Sequence, residues 1–161
     1  MQSSRAHGVD FGVASCPERG DPENMLQNLK TVPSIVGGIN EKSTATAAAI
    51  YEGTLGVKVV KVSDPKTAKA VKLTENLFRD VNIALANEFA ILYEKLGIDT
   101  IEVINARATE YNFMPHYPGA GVGGPCLPQN PHYLINEGVK VGNIQTLFAS
   151  RGRSMTACPS M

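Results

Sequence analysis

One cysteine occupies a position that favours reactive thiol chemistry. Cys126 follows the glycine-rich stretch 119–124 and precedes Pro128, which suits the first turn of a helix because its missing N–H needs no partner there. Free backbone N–H groups and the helix dipole at such a junction stabilise a thiolate. The sequence therefore predicts a nucleophile at Cys126. The alternative is that this lone cysteine is a small buried apolar side chain.

The same glycines fit a dinucleotide-binding pattern, which the surrounding residues argue against. Gly119, Gly121 and Gly124 match G-x-G-x-x-G, a motif that needs a buried strand immediately before it. The preceding segment 111–118 has no strand pattern, and Pro125 interrupts the turn that should open directly into a helix. We therefore interpret the stretch as a glycine-rich loop rather than as a pyrophosphate site.

Composition limits the classes of function. The 161 residues are 43% hydrophobic, which is enough for one domain with a core. The 15 basic and 15 acidic residues cancel, so nothing indicates a nucleic acid or membrane partner. No apolar run approaches the roughly 20 residues that span a bilayer, and the first residues lack the apolar core of a signal peptide. Three cysteines at wide spacing argue against a disulfide framework, so we expect a cytoplasmic protein.

Histidines could bind a metal or act as the base beside a catalytic cysteine, and the sequence supports neither role strongly. His7, His116 and His132 are scattered, and no Cys-x-x-Cys or His-x-x-x-His pair occurs. A structural zinc site needs closely paired ligands, so we predict no metal site. A thiol hydrolase that uses Cys126 with His116 or His132 remains an alternative.

Hydrophobic periodicity predicts the elements that position these residues. Apolar runs predict strands at residues 8–15, 32–39 and 57–62, and polar residues predict a loop with room for one helical turn at 20–31. Helices are predicted at residues 40–55, 65–96, 100–108 and 129–138. Asn40 and Asp64 are the predicted N-caps of the first two, and Gly97 ends the long helix. We expect an irregular tail at residues 143–161.

The predicted helix 65–96 has two kinds of face. Its apolar residues cover an arc too wide for one small domain to bury, which favours contact with a second copy of the chain. These residues are Val71, Leu77, Phe78, Val81, Leu85 and Leu92. Lys72, Asn76 and Arg79 lie within about 60° of one another on the opposite side. This polar stripe is either a solvated face or part of a site.

Three separated segments resemble the UDP-glucose/GDP-mannose dehydrogenases, which oxidise the C6 alcohol of a nucleotide sugar to a carboxylate. The segments are residues 13–19 with their Pro-Glu-Arg sequence, residues 69–88 of the long helix, and the cysteine loop at 119–131. Order and spacing agree over about residues 8–142. The arginine after Glu18 resembles the branch that acts on UDP-N-acetylhexosamines, which includes enzymes acting on UDP-N-acetyl-D-mannosamine.

The resemblance implies a covalent mechanism. Cys126 would attack the aldehyde made by the first oxidation, and the thiohemiacetal would be oxidised to a thioester that water hydrolyses. Lys72 would stabilise the oxyanion, and Asn76 would hold the oxygen or a water. Glu18 would be the base that activates the hydrolytic water.

Further site residues follow from the same resemblance. Arg19, Gly119 and Gly121 would contact the UDP-sugar substrate, and Gly123 and Gln129 are candidates for contact with NAD, the cofactor of the family. The family usually has an aspartate four residues after the cysteine, where this chain has Asn130. A neutral amide can orient water but cannot take a proton, so Asn130 puts the alcohol oxidation in question.

The resemblance also implies an architecture, mainly α with a small α/β part. Residues 1–62 would be the remnant of a Rossmann-type NAD-binding domain, 63–142 a helical central domain that forms a homodimer through the long helix, and 143–161 the irregular tail. Family members carry more of the NAD domain and a further UDP-binding domain, so we expect the isolated chain to be inactive. An inactive dimerisation module is therefore the alternative to a dehydrogenase fragment.

Overall fold

The structure, a computed structural model, describes residues 11–20, 24–120 and 126–148. The chain divides into two compact units, of which the first ends at Lys72 and the second begins at Leu73. Helices predominate in the described residues, and a three-stranded sheet lies in the first unit. The predicted fold class, mainly α with a small α/β part, is confirmed.

The sheet of the first unit contains one βαβ unit. Strand β1 (Ala14–Ser15) pairs antiparallel with β2 (Ser34–Gly38), and β2 pairs in parallel with β3 (Val59–Lys61). Helix α2 (Glu41–Leu55) connects the two parallel strands and packs on β2. Val36 and Ala48 are completely buried, so the core of this unit lies between β2 and α2.

Helix α2 begins and ends as its sequence predicts. The Asn40 side chain accepts a hydrogen bond from Ser43 N at 2.8 Å, which satisfies one of the free N–H groups of the first turn. Gly56 ends the helix in the left-handed conformation, at φ 65°.

Two consecutive glycines let β2 approach its neighbours closely. A Cβ atom on Gly37 would lie 2.7 Å from the carbonyl carbon of Asp64, and a Cβ atom on Gly38 would lie 2.5 Å from Thr44 N. Gly38 N also donates a hydrogen bond to Thr44 Oγ1 at 2.9 Å. The end of β2 thus has no room for a side chain at either glycine.

Replacing Gly37 by alanine is expected to destabilise the chain by about 1–3 kcal/mol, because the added methyl group would overlap backbone atoms that have no room to yield. Gly53→Ala is the matched control, since Gly53 lies in α2 and its Cβ atom would meet nothing within 4 Å. That variant should be slightly more stable than the wild type, by up to about 1 kcal/mol. Urea unfolding followed by circular dichroism measures both changes. Equal stability of Gly37→Ala and the wild type would contradict the packing described for β2.

Helix α3 (Pro65–Leu96) has the bounds that the sequence predicts. Asp64 caps it, since Asp64 Oδ1 accepts hydrogen bonds from Thr67 N at 2.9 Å and Lys66 N at 2.7 Å. These two bonds, the one from Thr67 first, hold the pKa of Asp64 below its usual value. Gly97 ends the helix at a φ of 69°.

Helix α3 buries three polar side chains beside apolar ones, and it exposes five large apolar side chains. Asn76, Asp80 and Asn87 are only 3%, 2% and 0% exposed, and at 100° per residue they lie within about 40° of one another. Five apolar side chains on the opposite side are between 42% and 60% exposed: Phe78, Leu85, Phe89, Leu92 and Leu96. An ordinary surface helix buries its large apolar side chains and exposes its polar ones. Buried polar groups and exposed large apolar side chains are the informative departures from that pattern.

The second unit contains the rest of α3 and two shorter helices, α4 (Thr100–Arg107) and α5 (Cys126–Lys140). Asp99 caps α4 by accepting hydrogen bonds from Ile101 N and Glu102 N. The segment 109–120 follows α4 and is held by aromatic contacts. The Arg107 guanidinium lies 5.4 Å from the Phe113 ring centre, and the rings of Phe78 and His116 meet edge to face at 5.9 Å.

Three predictions for the first unit are corrected. The strand predicted at residues 8–15 is reduced, among the described residues, to Ala14–Ser15, because only these two residues pair with Gly37 and Gly38 of β2. The loop predicted at 20–31 contains a seven-residue helix, α1 (Met25–Thr31). The glycine and proline that suggested a loop, Gly20 and Pro22, precede this helix rather than interrupt it. The strand predicted at 57–62 is shorter, at Val59–Lys61.

Helix α5 is longer than the predicted 129–138. It begins at Cys126 because Pro128 lies in the first turn, where a residue without N–H is tolerated. It continues through Gly138 to Lys140, since Gly142 supplies the left-handed position, at φ 74°, that ends the helix. Asn143 N then donates a hydrogen bond to Gly138 O at 2.8 Å. In the predicted tail, residues 146–148 form a helical turn, and residues beyond 148 lie outside the described part.

Candidate active site

The predicted Pro-Glu-Arg segment lines a small cleft in the first unit. Glu18 and Arg19 follow β1, and the cleft, with a volume of about 40 Å³, is also lined by Asn28, Ser34 and Tyr51. The Glu18 carboxylate accepts a hydrogen bond from Gly20 N, which fixes its orientation. Arg19 Nη1 donates to Pro33 O at 2.7 Å and so ties the segment to the start of β2.

Cys16 lies beside the same cleft and contacts a tyrosine. A hydrogen bond with Cys16, together with partial burial, raises the pKa of Tyr51 above its usual value. Cys16 is half-buried and makes no disulfide. This contact anchors the segment that carries Glu18 to helix α2.

Lys72 and Asn76 lie one turn apart on α3, as the sequence predicts. Lys72 is half-buried. Asn76 is 3% exposed, and its buried Nδ2 finds no hydrogen-bond acceptor among the described residues. An unpaired buried amide costs roughly 1–3 kcal/mol. A catalytic role and a bound water or ion are among the explanations for such a group. The interpretation of this stripe as a solvated face does not fit Asn76.

Gly119, predicted at the substrate, is held by α3. Its N–H donates to Oδ1 of Asn87 at 2.9 Å. Two residues earlier, the Tyr117 hydroxyl donates to Oδ1 of Asn105 on α4 at 3.0 Å. The beginning of the glycine-rich loop is therefore tied to two helices of the second unit. Gly121 and Gly123 lie outside the described residues.

Cys126 is the first residue of α5, the position expected for a stabilised thiolate. Its side chain lies outside the part of the chain that is described. Asn130 follows one turn later and is half-buried, whereas Gln129 is exposed. Positions 126 and 130 are four apart, and positions at that spacing share one face of a helix.

The histidines and acidic residues suggest no second type of site. His116 is held against Phe78, and its Nδ1 lies 3.1 Å from Met114 O, while His132 is exposed on α5. Within residues 11–20, 24–120 and 126–148, no three His, Cys, Asp or Glu side chains are grouped so as to hold a metal ion. No helix in that part of the chain is long and apolar enough to cross a membrane.

No sequence motif marks the two residues that bond Tyr117 and Gly119. They are Asn105 and Asn87, which are ordinary helix residues in the sequence. A signal existed for Asn87: it follows Asn76 by eleven residues, about three helical turns, so both amides lie on one side of α3.

Known proteins match the chain over most of its length. Residues 66–153 match the model of the UDP-glucose/GDP-mannose dehydrogenase family, central domain. This match continues beyond residue 142, where the resemblance was expected to end. It covers more than half of the chain.

Two curated relatives illustrate the range of substrates. The UDP-N-acetyl-D-mannosamine dehydrogenase of Pyrococcus horikoshii is 43% identical over 129 residues, which are 80% of this chain and 31% of the relative. The UDP-N-acetyl-D-glucosamine 6-dehydrogenase of Pseudomonas aeruginosa is 35% identical over 133 residues, 83% of this chain and 31% of the relative. The chain thus spans about a third of the length of these relatives.

Solved structures share the same fold. The UDP-D-ManNAc dehydrogenase of Pyrococcus horikoshii superimposes with a TM-score of 0.84 at 39% identity, covering 91% of this chain and 34% of that one. A UDP-glucose dehydrogenase of Pyrobaculum islandicum gives a TM-score of 0.82 at 27% identity, covering 92% and 34%.

Proposed function

The chain belongs to the UDP-glucose/GDP-mannose dehydrogenase family, and we propose that it is the catalytic middle section of an enzyme that oxidises C6 of a UDP-N-acetylhexosamine to a carboxylate. The observation that carries this proposal is the buried Nδ2 of Asn76, which has no acceptor among the described residues. Asn76 lies one turn from Lys72 on a helix that otherwise exposes its apolar side. A bound substrate or water could supply the acceptor that this amide needs.

The relatives support a substrate class for this proposal. The chain is similar to dehydrogenases of UDP-N-acetyl-D-mannosamine and of UDP-N-acetyl-D-glucosamine. Arg19, which follows Glu18, matches this branch in sequence. We therefore propose a UDP-N-acetylhexosamine as substrate, with Gly119 and Gly121 in the loop that contacts it.

The reaction at Cys126 begins from the C6 aldehyde. The thiolate sulfur forms a bond to C6, and the carbonyl oxygen becomes the alkoxide of a thiohemiacetal. Oxidation of that carbon gives a thioester, and water then adds to the thioester and expels the thiolate. A carboxylate is formed and Cys126 is regenerated. A thiolate suits both roles because it is a good nucleophile and an acceptable leaving group.

The surrounding side chains have separate parts in this scheme. The ammonium group of Lys72 stabilises the alkoxide, because a charge on a rigid helix needs no reorganisation as the oxyanion develops. Asn76 donates a hydrogen bond from Nδ2 to the same oxygen or to a water. Glu18 accepts the proton of the water that attacks the thioester. The hydrogen bond from Gly20 N keeps the Glu18 carboxylate in one orientation.

The oxidations need a hydride acceptor, for which the family implies NAD. At the turn between β2 and α2, the N–H of Gly38 already donates to Thr44 Oγ1, so it is not available to a pyrophosphate. We propose that NAD is bound by other parts of the whole enzyme. Gly123 and Gln129 remain candidates for contact with it.

A second function is supported by a separate observation. The exposed apolar side of α3, defined above by Phe78, Leu85, Phe89, Leu92 and Leu96, places five large apolar side chains on one helix face. We propose that a second copy of the chain covers it. If the chain works only in this way, it is a dimerisation module without activity of its own.

A chimera tests the catalytic proposal. Residues 11–148 replace the matching segment of the Pyrococcus horikoshii relative, which supplies the remaining two thirds of an enzyme. The chimera is incubated with NAD and either UDP-N-acetyl-D-mannosamine or UDP-N-acetyl-D-glucosamine, and uronate is measured by mass spectrometry. We expect uronate from at least one sugar, and none from the 161-residue chain alone. A folded, dimeric chimera that forms no uronate would contradict the catalytic proposal and leave the dimerisation module.

Asn130→Asp is expected to raise the rate of uronate formation by the chimera at least about tenfold, because a carboxylate can accept the proton of the sugar alcohol and an amide cannot. Asn136→Asp is the matched control. It makes the same change at an exposed position of α5 and should leave the rate within about twofold. An equal effect of both substitutions would show that added negative charge, rather than a base at position 130, changes the rate.

A further inference from the structure

The most deeply buried polar side chain of α3 is not among the residues that the resemblance assigns. Asn87 is 0% exposed and lies near the middle of the helix. Its Oδ1 accepts a hydrogen bond from Gly119 N at 2.9 Å, across 32 positions of sequence. A buried amide in a helix is retained at a cost unless its polar atoms are paired. The bond to Gly119 gives Asn87 a specific reason to be buried.

The partner of Asn87 begins the glycine-rich loop. Gly119 opens the stretch 119–124, and Cys126 begins α5 two residues after that stretch ends. Gly119 lies seven positions before Cys126, so a bond that fixes Gly119 on α3 limits where the start of α5 can lie.

Contacts just before Gly119 hold the chain on the same helices. Tyr117 donates to Asn105 Oδ1 at 3.0 Å, and His116 packs edge to face on Phe78. These contacts lie on exposed or half-buried side chains, whereas Asn87 is fully enclosed. Of these contacts, the bond to Asn87 is therefore the one with which water competes least.

We infer that Asn87 is a positioning residue: by holding Gly119 it fixes the loop that leads to Cys126 relative to α3, the helix that carries Asn76. This inference rests on the proposed function, since it assigns a purpose to the loop geometry. Asn87 acts through the backbone of Gly119 and not on the substrate. A neutral amide suits this task because it accepts a hydrogen bond without adding negative charge near a thiolate.

The test compares two substitutions of Asn87 in the 161-residue chain. Asn87→Leu keeps a similar volume but removes the acceptor, and Asn87→Asp keeps an acceptor oxygen. Asn82→Leu is the control, because Asn82 lies on the same helix and its Nδ2 donates within the helix, to Phe78 O. Two quantities are measured for each, the hydrogen-exchange rate of the Gly119 amide by ¹⁵N-glycine NMR and the iodoacetamide labelling rate of Cys126 between pH 5 and 10.

The expected result has three parts. The Gly119 amide is protected from hydrogen exchange in the wild type. In Asn87→Leu its exchange rate is about threefold to tenfold higher, because one hydrogen bond is lost. Asn87→Asp retains most of the protection. Cys126 labels at least about threefold more slowly below pH 8 in Asn87→Leu, because the start of α5 is no longer positioned through Gly119 and the thiolate is less well stabilised. Asn82→Leu changes neither rate.

Other results overturn the inference in distinguishable ways. An unprotected Gly119 amide in the wild type excludes the contact, whatever the variants do and whether or not they fold. If Asn87→Leu speeds exchange of the Gly119 amide but leaves the labelling rate of a reactive Cys126 unchanged, the contact exists and the positioning role is excluded. If wild-type Cys126 labels no faster than Cys158, the proposed function fails, and the inference fails with it.

Discussion

In the chimera, Cys126→Ala is expected to lower the rate of uronate formation at least about 1,000-fold. Without the thiol no thiohemiacetal forms, so the aldehyde has no covalent path to the acid. Removal of a nucleophile commonly costs this much or more, because the other groups of such a site act only together with it. The first oxidation does not require the thiol, so the aldehyde should accumulate. Mass spectrometry of the sugar products separates alcohol, aldehyde and acid.

Cys16→Ala is the matched control for this experiment. Cys16 is half-buried beside Tyr51 in the first unit and takes no part in the proposed chemistry. Its removal should leave uronate formation within about threefold of the unsubstituted chimera, and the aldehyde should not accumulate. Uronate formation by Cys126→Ala at a tenth or more of the original rate would exclude Cys126 as the nucleophile.

Leu85→Asp is expected to convert a dimer of the chain into a monomer. Leu85 lies near the middle of the exposed apolar side of α3 and is 47% exposed, so the substitution should not unfold the protomer. In a dimer joined through this face, the aspartate would be buried without a partner, at a cost of several kcal/mol. The dissociation constant should rise at least about 100-fold, which corresponds to roughly 2.7 kcal/mol. Light scattering at micromolar concentration measures the state of both proteins.

Ile50→Asp supplies the comparison for the dimer. Ile50 is 59% exposed on α2, so the same change of an exposed apolar residue to aspartate is made on another helix. This variant should remain a dimer. A monomeric wild type, or a dimer that Leu85→Asp leaves intact, would show that α3 does not form the interface.

The sequence predicted the elements with the strongest local signals. Helices α2 and α3 were bounded correctly because Asn40 and Asp64 are caps and Gly56 and Gly97 are left-handed stops, all of which act through neighbouring backbone atoms. Helix α1 was missed because nearby turn residues outweighed a short helical stretch. The two-residue β1 could not be predicted, since its length depends on how much of β2 is free to pair.

The candidate site was predictable only in part, for a similar reason. Cys126, Lys72 and Asn76 are marked by motif and helical spacing. The bond between Asn87 and Gly119 spans 32 positions and depends on the tertiary fold, so no local pattern contains it. The exposure of the apolar side of α3 is likewise a tertiary property. Periodicity shows that such a face exists, but not which of two faces lies inside.

The measurement that tests the central claim most directly is the pH dependence of iodoacetamide labelling of the wild-type chain, read at each cysteine by peptide mass analysis. Cys158 is read in the same sample for comparison, and an unperturbed thiol has a pKa of about 8.5. The account predicts that Cys126 labels faster than Cys158 below pH 8, because helix N–H groups and Lys72 favour its thiolate. Lys72→Ala and Asn130→Asp should each move the labelling of Cys126 to higher pH. Labelling of Cys126 no faster than that of Cys158 below pH 8 would contradict an activated nucleophile at the start of α5.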